Sequence, residues 1–319
     1  MYSGLIIGML FGFLLQRGQF CFVSGFRQIY QQKSIRFLTA LFIAISIQSM
    51  GFFALAEWGV ITIPTSQLPV LATLLGGFIF GFGMVFANCC GSGAWFRSGE
   101  GALGSFIALI TFAITMASTQ TGSLKNITNR LTANPTEIDN IYLTLGISPW
   151  VLIVFLLLIT LVLIKKYMAQ KIPHTAYLTP LMTGTFIGLL GIVAWFFSAQ
   201  AGRNYGFGIA VPSANVVQYL VAGQQRYLNW GSLFVLGIIV GSFLSAKLTG
   251  NFTLRVPEPQ DFLRRIIGGV LMGIGAALAG GCTVTNTLVA TAYFSWQGWL
   301  ATLMIFIGSW IATLVFKRS

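Results

Sequence analysis

The chain has 319 residues, of which 56% are hydrophobic and only 8% are charged, and its mean hydropathy is +0.83. Soluble domains carry about 25% charged residues, so this composition excludes an ordinary soluble fold and predicts an all-α protein within a lipid bilayer. The net charge of +12 would suggest a nucleic-acid partner in a soluble protein, but here we attribute it to the Lys and Arg residues that orient membrane proteins and predict no nucleic-acid partner.

Apolar segments follow one another along the whole chain. Crossing a hydrocarbon core of about 30 Å takes about 20 apolar residues, and helices broken near the midplane need fewer in each piece. The chain is therefore predicted to be a single membrane domain, surrounded by membrane lipids, with about nine spans. These spans are predicted at residues 3–16, 36–57, 70–88, 102–119, 148–168, 178–198, 229–248, 264–281 and 297–316.

The basic residues indicate how these spans are oriented. If the N-terminus is outside, only Lys125, Arg130, Arg203 and Arg226 fall on the outer side, and the other basic residues fall on the inner side. An excess of Lys and Arg on inner connections is typical of cytoplasmic loops. We therefore predict an external N-terminus and a cytoplasmic C-terminus.

The sequence predicts no cofactor and no metal site. Cys21, Cys89, Cys90 and Cys282 lie in or beside apolar, Gly-rich segments without the spacing of a disulfide framework or a zinc site. The lone His174 lies in a Lys-rich loop. No carboxylate stands in the middle of an apolar run, so the acidic residues that proton or sodium pumps use are missing. This absence fits an anionic substrate.

A pattern of Gly, three residues, Gly, eight residues and Cys occurs three times. The second and third copies also share two further glycines at a constant offset, which equates the third and eighth spans. Under the predicted topology those spans cross in opposite directions, so the sequence predicts an inverted repeat. The first half is about 1–119, the connecting span about 148–168 and the inverted second half about 178–319. The copies are Gly8, Gly12 and Cys21; Gly77, Gly81 and Cys90; and Gly269, Gly273 and Cys282.

A fourth copy of the pattern is expected near the sixth span. Gly184 and Gly188 begin it, but Phe197 stands where the cysteine is expected. Small residues at this spacing allow helices to approach closely, and a lone membrane cysteine is usually a small buried hydrophobe. Neither interpretation explains why three glycine pairs lead to a thiol at the same distance, so we predict that the three thiols line a substrate path.

The residues around these cysteines predict helix breaks followed by short broken or re-entrant helices. Small polar residues follow each cysteine, and the free N–H groups at the start of a helix attract anions. The register favours Cys90 over its neighbour, because Cys89 corresponds to Phe20 and Gly281 in the other copies. Further candidates for the path are Asn88, Cys89, Gly91, Ser92 and Thr283, together with Arg17 and Arg203 in the connections.

Three motifs resemble the YeeE/YedE family of bacterial membrane proteins, the thiosulfate-uptake transporters. The resemblance implies an inner-membrane protein in which three cysteines line the thiosulfate path, and these match Cys21, Cys90 and Cys282. It also implies a small cytoplasmic sulfur-carrier protein as a partner. The motifs are Gln16-Arg17-Gly18-Gln19-Phe20-Cys21-Phe22, Asn88-Cys89-Cys90-Gly91-Ser92-Gly93 and Gly280-Gly281-Cys282-Thr283.

Two mechanisms fit these residues. In the favoured one, which is not enzymatic, thiosulfate or a similar sulfur oxyanion passes between neutral thiols and is helped by the N–H groups of half-helices. The competing hypothesis is a membrane thiol enzyme, in which a cysteine attacks the substrate and holds its sulfur as a persulfide. Such chemistry needs an activated thiolate, and Arg17 and Arg97 lie within a few residues of Cys21 and Cys90. A purely structural subunit would leave the registered thiols unexplained.

Overall fold

The computed structural model describes residues 1–65, 67–133, 135–170 and 177–316, a set that leaves out His174. Within these ranges the protein is helical and contains no β-strand, which confirms the predicted all-α class. The α-helices are α1 (Tyr2–Gly18), α2 (Phe22–Gln32), α3 (Arg36–Glu57), α4 (Val70–Phe86), α5 (Gly91–Gly99), α6 (Leu103–Gln120), α7 (Lys125–Thr132), α8 (Ile141–Leu145), α9 (Pro149–Ala169), α10 (Pro180–Gln200), α11 (Ala210–Ala222), α12 (Trp230–Leu248), α13 (Pro259–Leu278) and α14 (Trp296–Phe316).

Eight helical stretches in the described part of the chain are long and apolar enough to cross a membrane. They match eight of the predicted spans, and two of them run on into the short helices that follow α1 and α4. The protein is therefore a multi-pass membrane protein. The remaining predicted span, 264–281, corresponds to α13. This helix is not among the eight stretches, and its first turns carry Asp261, Arg264 and Arg265.

Each cysteine motif is followed by a short helix, as the sequence predicts. α2 starts directly after Cys21, α5 starts directly after Cys90, and a short π-helix (Val284–Ala290) follows Cys282. In the incomplete fourth copy, α10 continues through Phe197 to Gln200, and the next short helix, α11, starts after Ile209. Ile209 thus precedes a short helix in the position that a cysteine holds elsewhere.

Glycines bring the long helices into backbone contact in two pairs on each side of the molecule. α1 packs on α12, where a Cβ at Gly8 would overlap the Phe234 carbonyl, and α10 packs on α3, where a Cβ at Gly188 would lie 3.1 Å from the Ala44 carbonyl oxygen. α4 packs on α14 and α13 packs on α6. A Cβ at Gly77 would lie 2.9 Å from the Ala301 carbonyl oxygen, and a Cβ at Gly273 would lie 2.6 Å from Thr115 Cβ.

α4 and α13 also pack directly on each other through glycines. A Cβ at Gly76 would lie 2.8 Å from the Gly275 carbonyl oxygen, and a Cβ at Gly83 would lie 3.0 Å from the Gly268 carbonyl oxygen. The earlier glycine of α4 contacts the later glycine of α13, and the later glycine of α4 contacts the earlier one of α13. The two helices are therefore antiparallel. α9 lies outside this arrangement and packs on α3, where Ser46 and Thr160 share a hydrogen bond of 2.8 Å.

Candidate functional site

The three cysteines are positioned by the same backbone break. A residue in the left-handed region stands two positions before each of them: Gln19 (φ 48°), Asn88 (φ 50°) and Gly280 (φ 72°). Glycine and asparagine adopt this conformation more readily than most residues. Cys21 and Cys90 themselves are extended and cap the helices that follow. The spacing between the glycine pair and the cysteine therefore sets each thiol at the start of a new helix.

Backbone N–H groups of the new helices point at the thiols. The Gly93 N–H donates to Cys90 Sγ at 3.3 Å, and the Ser24 N–H lies beside Cys21 in the first turn of α2. Cys282 accepts from the N–H groups of Thr285, Val284 and Ala210, the last of which opens α11. The first N–H groups of a helix have no partner within the helix and carry its positive dipole end. Four short helices thus present donors to three sulfur atoms.

The thiols follow one another as a file through the centre of the molecule. The Cys21 and Cys90 side chains lie next to each other. The residue after Cys90, Gly91, faces Cys282, because a Cβ on Gly91 would lie 3.6 Å from Cys282 Sγ. All three cysteines are buried and none forms a disulfide. The order of the file is therefore Cys282, Cys90 and Cys21.

Cys89 is also buried, but it faces another direction. Its side chain hydrogen-bonds Ser105 on α6, whereas Cys90 contacts Cys21. Cys89 and Cys90 lie in the break between α4 and α5, where Cys90 is extended, and successive side chains of extended backbone point to opposite sides. The structure thus separates the two adjacent cysteines in space.

The other candidates divide into two groups. Near the file, Ser92 Oγ lies 3.5 Å from Cys90 Sγ, and the Asn88 carbonyl accepts from Arg97 at 2.8 Å. Thr283 is buried next to Cys282, and its hydroxyl makes no hydrogen bond within the described ranges.

Arg17 and Arg203 are engaged elsewhere. The Arg17 guanidinium lies 5.1 Å from the ring centroids of both Phe13 and Tyr177. Arg203 donates to Ser198 Oγ in the last turn of α10 at 2.9 Å and to the carbonyls of Tyr205 and Gly206 in its own connection at 3.0 and 2.9 Å. Burial lowers the pKa of Arg203 to about 10. Its hydrogen bonds hold the connection before α11 in shape.

Arg97 is the residue of the site that the sequence did not assign to the path. Its Nη2 donates to Cys21 Sγ at 3.4 Å and to Ser24 Oγ at 3.2 Å. Arg97 stands two helical turns after Cys90, which is a visible signal, but it reaches a thiol from a different segment. Two tyrosines were also missed: Tyr205 and Tyr293 hydrogen-bond each other on the Cys282 side of the file.

Two cavities reach the site from the face predicted to be cytoplasmic, and Gln19 lines both of them. One has a volume of about 170 Å³ and is lined by Cys21 and Ser24. The other has a volume of about 680 Å³ and is lined by Asn88, Arg97 and further polar residues, mainly from the connection between α12 and α13. Polar cavities of this size allow water or a small ion to approach the Cys21 end of the file.

Known proteins resemble the chain over nearly its whole length. Residues 17–311 match the family described as sulphur transport. The chain is 43% identical to the thiosulfate transporter TsuA of Escherichia coli K12, over 99% of this chain and 95% of that protein. It is 29% identical to the thiosulfate transporter TsuA of Spirochaeta thermophila, over 99% of both. A shorter match, 32% identical over 30% of this chain, is to the probable transporter YedE of E. coli K12, 24% of which is covered.

Proposed function

We propose that this chain, which belongs to the sulphur transport family, carries thiosulfate across the bacterial inner membrane past Cys282, Cys90 and Cys21. The membership confirms the family that the cysteine motifs predicted. Both relatives that match over nearly the whole chain are named thiosulfate transporters, not enzymes, which supports the transport hypothesis over the enzymatic one. Thiosulfate combines a terminal sulfur with three oxygens, and the site offers partners to both ends.

The observation that carries the proposal is the file of buried thiols at helix starts. A dianion in a low-dielectric site needs donors that replace its water. Backbone N–H groups at Gly93, Ser24 and Ala210 supply such donors without a fixed positive charge at every step. Neutral thiols are weak donors, so the substrate is bound loosely and released to the next position. A thiolate would repel the anion, so we expect the protonated form during transport.

The packing of α4 on α13 supports two halves of opposite orientation. The repeat in the sequence equates Gly76 with Gly268 and Gly83 with Gly275. The contacts pair Gly76 with Gly275 and Gly83 with Gly268, which is the exchange that a twofold axis produces. We infer that residues 1–119 and 178–319 are inverted halves joined through α9.

The orientation follows from the basic residues, with the polar cavities and the Cys21 end of the file on the cytoplasmic side. Thiosulfate would then enter past Cys282 and leave past Cys21. A small sulfur-carrier protein would receive it at the cavity mouths. A reporter fused after Ser319 is expected to be cytoplasmic, and a periplasmic reporter would overturn this direction.

One observation keeps the persulfide enzyme as a second candidate. The Arg97 guanidinium contacts Cys21 Sγ at 3.4 Å, and a nearby cation is what an activated thiolate requires. Mass spectrometry of the purified protein after incubation with thiosulfate separates the two. The relay predicts unmodified cysteines, whereas a stable sulfur adduct at high occupancy would favour the enzyme.

Uptake of labelled thiosulfate by proteoliposomes tests the proposal, and the adjacent cysteines supply a matched pair of variants. Cys90→Ala removes the central thiol and should eliminate uptake while the protein stays folded. Cys89→Ala removes an equally buried thiol that faces Ser105, and it should retain uptake with a packing loss of about 1 kcal/mol. An active Cys90→Ala protein beside an inactive but folded Cys89→Ala protein would refute the path.

A further inference from the structure

Arg97 brings a positive charge to the Cys21 end of the file. It stands in the last turn of α5, and its side chain turns back towards the break that precedes this helix. There Nη1 donates to the Asn88 carbonyl at 2.8 Å, while Nη2 donates to Ser24 Oγ at 3.2 Å and to Cys21 Sγ at 3.4 Å. The guanidinium thereby links α5 to the start of α2.

No carboxylate forms a direct ion pair with this guanidinium within the described residues, although Glu100 lies close enough for its charge to act on Arg97. The ion pairs found there are Arg255 with Glu100 at 3.9 Å and Arg264 with Asp261 at 3.8 Å. Glu100 also hydrogen-bonds Gln16. The acceptors of Arg97 are a carbonyl, a hydroxyl and a thiol, all of which are neutral. A partly buried charge is unfavourable without a close opposite charge, so the N–H groups that Arg97 directs at Cys21 and Ser24 favour an anionic partner in direct contact.

We propose that Arg97 binds the oxygen-bearing end of thiosulfate while the terminal sulfur contacts Cys21, and that it sets the preference for a doubly charged oxyanion. This inference rests on the proposed function. A guanidinium presents parallel N–H groups that match two oxygens of an oxyanion. The bonds to Cys21 and Ser24 are the weaker ones, so an anion can replace them while the bond to Asn88 holds the side chain in place. The cavity of about 680 Å³ reaches Arg97 and gives the anion a way out.

A structural role for Arg97 is the competing explanation, because its bond to Asn88 caps the end of α4. Arg265 provides the matched control. It donates from α13 to the adjacent Ala87 carbonyl and lines the same cavity, and the hydrogen bonds of the described residues do not join it to a thiol. Replacing either arginine removes one charge and one cap from the same break. Only replacement of Arg97 removes a contact with the cysteine file.

The experiment measures uptake by the full-length protein in proteoliposomes, with thiosulfate and with methanethiosulfonate, a singly charged analogue that keeps the terminal sulfur. Arg97→Gln should raise the KM for thiosulfate about tenfold, as loss of a charge-assisted contact would, and change the KM for the analogue less. Arg97→Lys keeps the positive charge but loses the parallel N–H groups of the guanidinium. Its KM for thiosulfate should fall between those of Arg97→Gln and the wild type. Arg265→Gln should leave both KM values within about twofold.

Thermal unfolding of each variant in detergent separates the structural role from binding. Equal losses of stability in Arg97→Gln and Arg265→Gln, with a KM change in the first alone, support the proposal. A wild-type KM for thiosulfate in folded Arg97→Gln overturns the proposal. An equal rise of the KM for thiosulfate in Arg97→Gln and in Arg265→Gln overturns it as well. If Arg97→Gln does not fold, a wild-type KM in Arg97→Lys overturns it. Uptake that survives in Cys90→Ala would instead overturn the proposed function.

Discussion

The breaks after α4 and after α13 place a cysteine in the same way, but different side chains cap them. At the break after α4, Arg97 donates to the Asn88 carbonyl and Arg265 donates to the Ala87 carbonyl. Both caps are cationic, and both arginines line the large polar cavity. The carbonyl groups at this helix end are therefore satisfied by residues that water also reaches.

At the break after α13 the caps are neutral amides. Asn286 is buried and donates to the Ala279 carbonyl at 3.1 Å and to the Gly281 carbonyl at 2.9 Å. Gln297 donates to the same Ala279 carbonyl at 3.3 Å. A backbone break inside a membrane protein must be satisfied by protein groups or by water in a cavity. Charged side chains donate to the carbonyl groups of the break that a hydrated cavity reaches, and neutral amides donate to those of the break that is buried.

This difference has a consequence for transport. The backbone design and the thiol are common to both breaks, so they provide a similar environment for the substrate at both. Arg97 places a positive charge in contact with Cys21, whereas the hydrogen-bond partners of Cys282 among the described residues are neutral. The two breaks thus differ in the charge next to their thiols, which would favour the movement of an anion towards Arg97.

The largest expected effect tests what the two halves have in common. Gly77→Leu and Gly273→Leu each place a large side chain where a helix backbone or side chain lies within 3 Å of the added Cβ. Both substitutions should prevent close helix packing and abolish folded protein, measured as the monodisperse peak in size-exclusion chromatography. Val240→Leu, at a position 42% exposed on α12, is the control and should give normal yield. Normal folding of both glycine variants would show that these positions are not helix contacts.

A smaller effect tests the difference between the caps. Asn286→Ala leaves the Gly281 carbonyl without this donor in a closed site, so the free energy of unfolding should fall by about 2 kcal/mol. Arg265→Ala exposes the Ala87 carbonyl to the polar cavity, where water can replace the donor, and the expected loss is below about 1 kcal/mol. Thermal unfolding in the same detergent gives the comparison. Equal losses would mean that both breaks are equally hydrated.

The smallest effect concerns the two ends of the file. Cys282→Ala removes a thiol whose hydrogen-bond partners among the described residues are neutral. It should slow uptake about fivefold, as loss of one hydrogen-bonding partner would. Cys21→Ala should slow uptake less, because Arg97 and Ser24 remain beside the vacated position. Initial uptake rates at low thiosulfate concentration measure both. A slower Cys21→Ala protein than Cys282→Ala protein would contradict the charge asymmetry.

Much of the fold was predictable because it depends on local properties. The predicted span 36–57 coincides with α3, and the other long helices differ by a few residues. The start of α13 lies earlier than expected, at Pro259, because a charged first turn has no apolar signal. The missing cysteine copy was placed at Phe197, but the chain breaks only after Gln200, since the connection held by Arg203 is longer than its counterpart.

The three cysteines of the candidate site could be predicted from the sequence, but the arginine that contacts them could not. The constant distance from glycine pair to cysteine reflects one repeated backbone path, so the register alone distinguished Cys90 from Cys89. The contact between Arg97 and Cys21 joins residues 76 positions apart. No local pattern encodes that contact, and the sequence analysis named Arg17 rather than Arg97 as a candidate for the path.

The sequence by itself determined the membrane environment, the approximate positions of the long apolar helices and the positions of the three breaks at the cysteines. Those features follow from hydrophobic length and from the conformations of glycine, asparagine and small polar residues, which act over a few residues. The tertiary structure decided which thiols meet, which arginine reaches them and which break opens to a cavity. These outcomes depend on the packing of α2, α5 and α11 between distant long helices, and packing is set by contacts between segments that are far apart in the sequence.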